Sequence, residues 1–85
     1  MSPLQVHRRA NRTRRIPRRI HQLLTTIRAA QKRIDLVEAN EDMTPEVQQM
    51  FIKTLRNEAG VAHAQVRDLQ DRGIELGINP QLLSA

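Results

Sequence analysis

Residues 16–37, which read IPRRIHQLLTTIRAAQKRIDLV, carry apolar side chains at the spacing of a coiled coil. The recurring positions follow one another at steps of 4, 3, 4, 3, 4 and 3: Ile16, Ile20, Leu23, Ile27, Ala30, Ile34 and Val37. Alternating steps of three and four place these residues in one stripe along a helix, at the a and d positions of a heptad. The spacing predicts a first long helix over residues 16–41.

A second apolar stripe follows after an interruption at residues 40–43. Thr44 stands at the position of a helix N-cap, and Pro45 stands at the first helical position, where its missing N–H costs nothing. These signals predict a second helix over residues 45–72. Its apolar positions, at steps of 4, 4, 4, 3, 4 and 3, are Val47, Phe51, Leu55, Ala59, Ala62, Val66 and Leu69.

The two stripes are complementary if the helices run antiparallel. Facing residues then have numbers that add to 85 or 86, as for Ile34 with Phe51 or Leu23 with Ala62, and small residues meet large ones. We therefore predict an all-α fold, an antiparallel two-helix hairpin that resembles a coiled coil. The alternative is a parallel coiled-coil dimer through the first helix. The predicted organisation is a basic N-terminal arm at 1–15, the hairpin at 16–73 and a tail at 74–85.

The tail is expected to form a short C-terminal turn. Gly73 or Gly77 ends the second helix, because glycine readily adopts the left-handed conformation that closes many helices. Asn79 and Pro80 then cap a single turn, after which the leucines at 82–83 fold back as a lid.

Five apolar residues fall outside the two stripes: Leu24, Leu36, Met50, Ile52 and Val61. Scattered surface apolar residues are normal in soluble proteins. The other interpretation is a second face that contacts another copy of the chain or other protein subunits.

Composition limits the class of protein. The chain has 85 residues with one Phe and no Trp, Tyr or Cys, which predicts a single domain without a disulfide scaffold or a cysteine zinc site. No run approaches the ~18 apolar residues of a membrane span. No apolar stretch follows the N-terminal charges, as a secretory signal requires. We expect an intracellular protein, or one within a nucleoprotein particle, rather than a secreted one.

Residues with catalytic or metal-binding chemistry are sparse. His21 and His63 lack cysteines or nearby acids and make a poor zinc site. Ser2 and Ser84 have no plausible His or Asp partner, and the glycine-rich nucleotide-binding motifs are absent. The sequence therefore predicts no enzyme, no cofactor, no metal and no small-molecule substrate.

Charge is strongly segregated along the chain. Residues 1–34 hold ten cations and no Asp or Glu, whereas residues 35–85 hold four cations and all nine acids. The first part thus has a net charge of +10 and the second of −5, which indicates a polyanionic partner for one end.

The densest basic segment is RRANRTRRIPRR, residues 8–19, in which seven of twelve residues are arginine. The guanidinium fork matches phosphate bidentately and stacks on bases. This segment resembles, in composition, the arginine-rich RNA-binding peptides of phage antiterminators and equally the basic tails of ribosomal and capsid proteins. The predicted phosphate contacts are Arg8, Arg9, Arg12, Arg14, Arg15, Arg18 and Arg19, with Arg28, Lys32 and Arg33 extending the track along the first helix.

The charges of the first helix also oppose its dipole. With a helix start near residue 16, Arg18 and Arg19 occupy the positive end, and Glu38 lies near the negative end. Helix stability does not explain this pattern, whereas an anionic partner at the basic end does.

Three functions fit these features. The first is a nucleic-acid-binding module that contacts RNA or DNA backbones without strong sequence specificity, because the basic segment has no aromatic residue for reading bases. The second is a structural subunit of a large nucleoprotein assembly, such as a virion or ribosome. The third is a protein-interaction hairpin, an adaptor whose arm docks on an acidic protein.

Overall fold

The structure, a computed structural model, describes residues 3–84, with side chains for residues 14–84. Helix α1 spans Pro3–Glu38, helix α2 spans Pro45–Glu75, and a 3-10 helix spans Pro80–Leu82. The stripe of α1 is covered by α2 of the same chain, and the described part contains no strand. The predicted all-α helical hairpin is confirmed. It forms a rod of 62 × 20 × 14 Å.

Helix α1 begins at Pro3, whereas the sequence predicts a start at residue 16. The predicted start is where the apolar stripe begins, next to Pro17, a residue that often marks a helix boundary but here lies inside the helix. Proline removes one backbone hydrogen bond from a helix interior. The arginines and the alanine that precede it are strong helix formers and favour continuation of the helix. The backbone of the basic arm, from Pro3 onward, is therefore part of α1, and the predictions for side chains 1–13 lie outside the described ones.

The stripe of α1 is confirmed. Four of its residues are buried and the other three are half-buried: Ile20, Leu23, Ala30 and Ile34, then Ile16, Ile27 and Val37. Burial of an aliphatic side chain of this size contributes about 1.5–3 kcal/mol. The cluster nearest the termini joins Ile20 and Leu23 to Ala62 and Val66 of α2, in agreement with the predicted antiparallel register.

The first two positions of the predicted α2 stripe, Val47 and Phe51, are wrong, whereas the stripe from Leu55 onward is confirmed. Phe51 is 50% exposed, whereas its neighbour Ile52 is 4% exposed and packs with Ile34. The stripe position before Ile52 is occupied by half-buried Gln48, whereas the sequence predicts Val47 there. The observed stripe advances by alternating steps of 4 and 3 without a slip: Gln48, Ile52, Leu55, Ala59, Ala62, Val66, Leu69 and Gly73.

Gln48 joins this stripe because its side-chain amide forms hydrogen bonds to the turn between the helices. Its Nε2 donates to the carbonyl oxygens of Val37, at 3.0 Å, and Asn40, at 2.8 Å. The Val37 carbonyl belongs to the last turn of α1 and also accepts from the Asn40 N–H at 3.1 Å, whereas the Asn40 carbonyl lies just beyond the helix end. The predicted N-cap is confirmed, since Thr44 Oγ1 accepts from the backbone N–H of Val47 at 3.3 Å.

Helix α2 ends at Glu75, three residues beyond the prediction, and Gly77 closes it. Gly77 has φ 77°, and its N–H donates to the Ile74 carbonyl at 3.0 Å. The next N–H, from Ile78, donates to the Gly73 carbonyl at 2.9 Å. These two bonds form a Schellman motif, in which a glycine in the left-handed conformation pairs otherwise unsatisfied carbonyls.

The tail folds back onto the hairpin, as predicted, but through one leucine of the predicted pair. Leu83 is 3% exposed and belongs to the core cluster nearest the termini, whereas Leu82 is exposed. The 3-10 helix begins at the Asn79 cap, whose side chain accepts from the Gln81 N–H. Gln70 Nε2 donates to the Leu83 carbonyl at 2.9 Å, which fastens the tail to α2.

The five apolar residues outside the predicted stripes divide into two groups. Ile52 is buried in the core, and Leu24 is half-buried against the cluster that contains Leu83. The others remain exposed: Leu36, Met50 and Val61.

Candidate nucleic-acid interface

One helix carries every predicted phosphate-binding cation. Those with described side chains are all exposed on α1: Arg14, Arg15, Arg18, Arg19, Arg28, Lys32 and Arg33. The backbones of Arg8, Arg9 and Arg12 belong to the same helix, while their side chains lie outside the described ones. At 1.5 Å per residue, the track from Arg14 to Arg33 measures about 28 Å.

The cations of α1 with described side chains form no salt bridge with the acids of α2. Within residues 14–84 the salt bridge that forms joins Arg72 Nη2 to Asp68 Oδ2 at 3.3 Å, inside α2. Arg19 Nη1 donates to a neutral partner on its own helix, Gln22 Oε1, at 3.4 Å. The charges along the described part of α1 are therefore available to attract a polyanion.

The dipole argument from the sequence is wrong for the arginines. Arg18 and Arg19 lie well inside α1, because the helix begins at Pro3. The helix dipole acts mainly within the first and last turns, so it does not act on these two residues. Glu38 does occupy the last turn of α1, which contains no basic residue.

The antiparallel fold returns acids to the basic end, so the charges are less separated in space than in sequence. Three carboxylates of α2 lie in the segment that packs beside residues 14–19: Asp68, Asp71 and Glu75. Arg67 and Arg72 accompany them, which leaves this stretch of α2 with a net charge of −1. The four arginines at positions 14–19 outweigh it, and this end stays positive.

A groove of about 830 Å³ runs between the two helices at the basic end. Its cationic lining comes from both helices: Arg15, Arg18 and Arg19 of α1, and Arg72 of α2. Its apolar lining consists of half-buried side chains: Ile16, Leu69 and Leu76. Gln22 and Glu75 complete it.

Sequence reasoning missed the contribution of α2 to this groove. Arg72 lies among acids in the sequence and shows no basic run. The antiparallel register was the available signal, because a sum near 86 places Arg72 beside Arg14. The site thus combines a predicted cation track on α1 with an arginine from the returning helix.

The opposite end of the rod, at the turn between the helices, is acidic. The turn and its flanks carry five exposed acids: Asp35, Glu38, Glu41, Asp42 and Glu46. Exposed apolar side chains stand among them, namely Leu36 at 72%, Met50 at 70%, Phe51 at 50% and Val47 at 39%. The hairpin therefore has a basic end with a groove and an acidic end with an apolar surface.

Other kinds of site find little support in the described part of the chain. His21 and His63 are both exposed, and residues 14–84 contain no group of three His, Cys, Asp or Glu side chains that could hold a metal ion. Neither α1 nor α2, as far as described, has a window apolar enough to cross a membrane.

Comparison with protein-family models, curated proteins and solved structures finds no significant match to this chain. The functional argument therefore depends on its own residues.

Proposed function

We propose that this chain is a non-enzymatic nucleic-acid-binding protein that acts inside the cell or within a nucleoprotein particle. The arginines of α1 contact the phosphate backbone without strong sequence specificity. The observation that supports this proposal most is the run of exposed arginines at 14–19 on one helix, none of them paired with a carboxylate in the described structure.

The chemistry of that run suits phosphate. Each guanidinium offers donors in a fork that fits two phosphate oxygens, and the charge persists at any physiological pH. The track of about 28 Å from Arg14 to Arg33 corresponds to roughly eight base pairs at 3.4 Å each. A rigid helix presents these cations in fixed positions, which lowers the entropic cost of binding.

Salt dependence of binding tests the proposal. Each phosphate that is neutralised contributes about −0.9 to the slope of log affinity against log salt on duplex DNA. The double variant Arg14→Gln/Arg15→Gln should therefore flatten that slope by about 1.8 units. Fluorescence anisotropy of a labelled oligonucleotide, titrated at several salt concentrations, measures the slope directly.

A variant with the same net charge provides the control. Lys53→Gln/Arg56→Gln also removes two exposed cations from the +5 chain, but on α2 and toward the turn. We expect this control to leave the slope unchanged. An equal change in both variants would show that only total charge matters, and no salt dependence at all would exclude phosphate binding by α1.

A structural subunit of a nucleoprotein assembly is the second candidate function. The exposed apolar side chains of the acidic end favour it, since Leu36 and Met50 are each about 70% exposed. Apolar groups that stand together at a surface often mark a protein contact. In this arrangement the basic end holds nucleic acid and the turn end contacts neighbouring protein subunits.

Sedimentation of the purified chain tests this second candidate. We expect association that increases with protein concentration and decreases in the variant Leu36→Gln/Met50→Gln. These substitutions remove exposed side chains, so the helix content should stay unchanged. A well-folded monomer at micromolar concentration, insensitive to the two changes, would argue against a subunit role.

A further inference from the structure

The groove at the basic end contains apolar side chains, which are not required for binding the phosphates of a duplex. Phosphate contacts require only exposed cations. Here the cations surround three half-buried apolar side chains: Ile16, Leu69 and Leu76. The volume of about 830 Å³ lies within the range of about 300–1,000 Å³ that small-molecule sites occupy. The groove is therefore large enough to hold more than a phosphate group.

The ligand that combines these features has both an anionic part and a flat apolar part. A nucleotide has both, since phosphates match guanidinium forks while the base covers an apolar surface. Among described side chains Phe51 is the aromatic one, and it lies at the other end of the rod. In the groove the base would therefore lie on the apolar side chains and not on an aromatic ring, with the guanidinium group of Arg18 as a planar neighbour.

Glu75 adds a preference for one kind of base. A carboxylate opposes phosphate but accepts hydrogen bonds from an amino group, as Glu and Asp do from cytosine N4. Glu75 lines the same groove as Gln22, whose amide both donates and accepts. An unpaired cytosine offers its N4 amino group, whereas the single N3–H donor of thymine lies between two carbonyl oxygens that repel a carboxylate, so Glu75 favours cytosine.

From this arrangement we propose that the groove seats one unpaired nucleotide of a single-stranded nucleic acid. Its phosphates contact Arg15, Arg19 and Arg72, its base lies on the apolar lining, and the amino edge of the base faces Glu75. This inference deepens the proposed function and depends on it. Arg72 becomes a binding residue that lies outside the basic segment.

Arg72 is free to change partners. Its salt bridge with Asp68 at 3.3 Å joins side chains that are 66% and 63% exposed. Such exposed pairs contribute little to stability, because water screens them and ordering the side chains costs entropy. Exchanging Asp68 for a phosphate therefore requires no rearrangement of the helices.

The first test compares Arg72→Gln with Arg67→Gln in the full-length chain. Both replace an exposed arginine on the same helix, but Arg67 does not line the groove. Anisotropy titrations use a single-stranded oligonucleotide of mixed sequence and the duplex of the same length. We expect Arg72→Gln to weaken single-strand binding about tenfold, the effect of losing one charge-assisted hydrogen-bonded contact. Arg67→Gln should weaken it much less, and duplex binding should not distinguish the two variants.

The second test measures base preference. The unaltered chain should bind oligo(dC) more tightly than oligo(dT), and Glu75→Ala should abolish that difference. Equal losses from Arg72→Gln and Arg67→Gln, or an unchanged preference in Glu75→Ala, would overturn the groove assignment while leaving phosphate binding by α1 intact. Absence of binding to either strand form would instead refute the proposed function itself.

Discussion

Gly73 provides a sharp test of how the tail packs. A Cβ at this position would lie 2.7 Å from both Cδ1 and Cδ2 of Leu83, which is 3% exposed. Alanine stabilises a helix interior by about 1 kcal/mol relative to glycine. Moving Leu83 out of the core costs about 1.5–3 kcal/mol. The second effect is larger, so Gly73→Ala should lower the free energy of unfolding by about 0.5–2 kcal/mol.

When Leu83 is shortened, Gly73→Ala should change the free energy of unfolding in the opposite direction. In the Leu83→Ala background the methyl group of alanine displaces nothing, and only the helix propensity remains. Gly73→Ala should then raise the free energy of unfolding by about 1 kcal/mol. Urea denaturation followed by circular dichroism measures all four chains, and the difference between backgrounds gives the coupling between the two residues. At this size each kcal/mol shifts the melting temperature by about 4–8 °C.

Stabilisation of equal size in both backgrounds would contradict the packing of Leu83 beside Gly73. It would mean that the tail does not fold back over the end of α2, and the fastening of Gln70 to the Leu83 carbonyl would be lost with it.

Five other substitutions have defined outcomes in the same denaturation assay. Gly60 is exposed with nothing within 4 Å of a Cβ, so Gly60→Ala should stabilise by about 1 kcal/mol; destabilisation would reveal an unseen neighbour. Gly77→Ala should destabilise by roughly 1 kcal/mol because φ is positive, and a neutral result would argue against the Schellman turn. Gln48→Ala leaves the Asn40 carbonyl without a donor, while the Val37 carbonyl keeps the Asn40 N–H, and should cost about 1–3 kcal/mol. Ile52→Ala should cost about 2–5 kcal/mol, and half-exposed Phe51→Ala clearly less; the reverse order would favour the apolar stripe predicted from the sequence.

The α1 stripe was predictable because its spacing is regular and entirely apolar. The start of the α2 stripe was not, since a glutamine occupies the position that completes the heptad. Gln48 is placed there by hydrogen bonds to the end of α1, which are tertiary contacts that hydropathy does not register. A phenylalanine three residues later gave the wrong stripe a stronger apolar signal than the correct one.

The cations of the candidate site were predictable from composition, but their arrangement was not. Exposed arginines on α1 follow directly from the basic segment and the stripe beside it. Continuation of the helix to Pro3 depends on tolerance of Pro17, which local rules count as a helix boundary. The groove required the register between the two helices, which is not local in sequence.

The opposite charges at the two ends of a rod 62 Å long give the molecule a large electric dipole moment. A polyanion exerts a torque on such a rod before any contact forms, so encounters begin with the arginines in front and the turn trailing. Such a rod would first meet the strand through the arginines at 14–19 and then lie along it as Arg28, Lys32 and Arg33 reach further phosphates. The acidic turn would be the last part of the molecule to approach the strand.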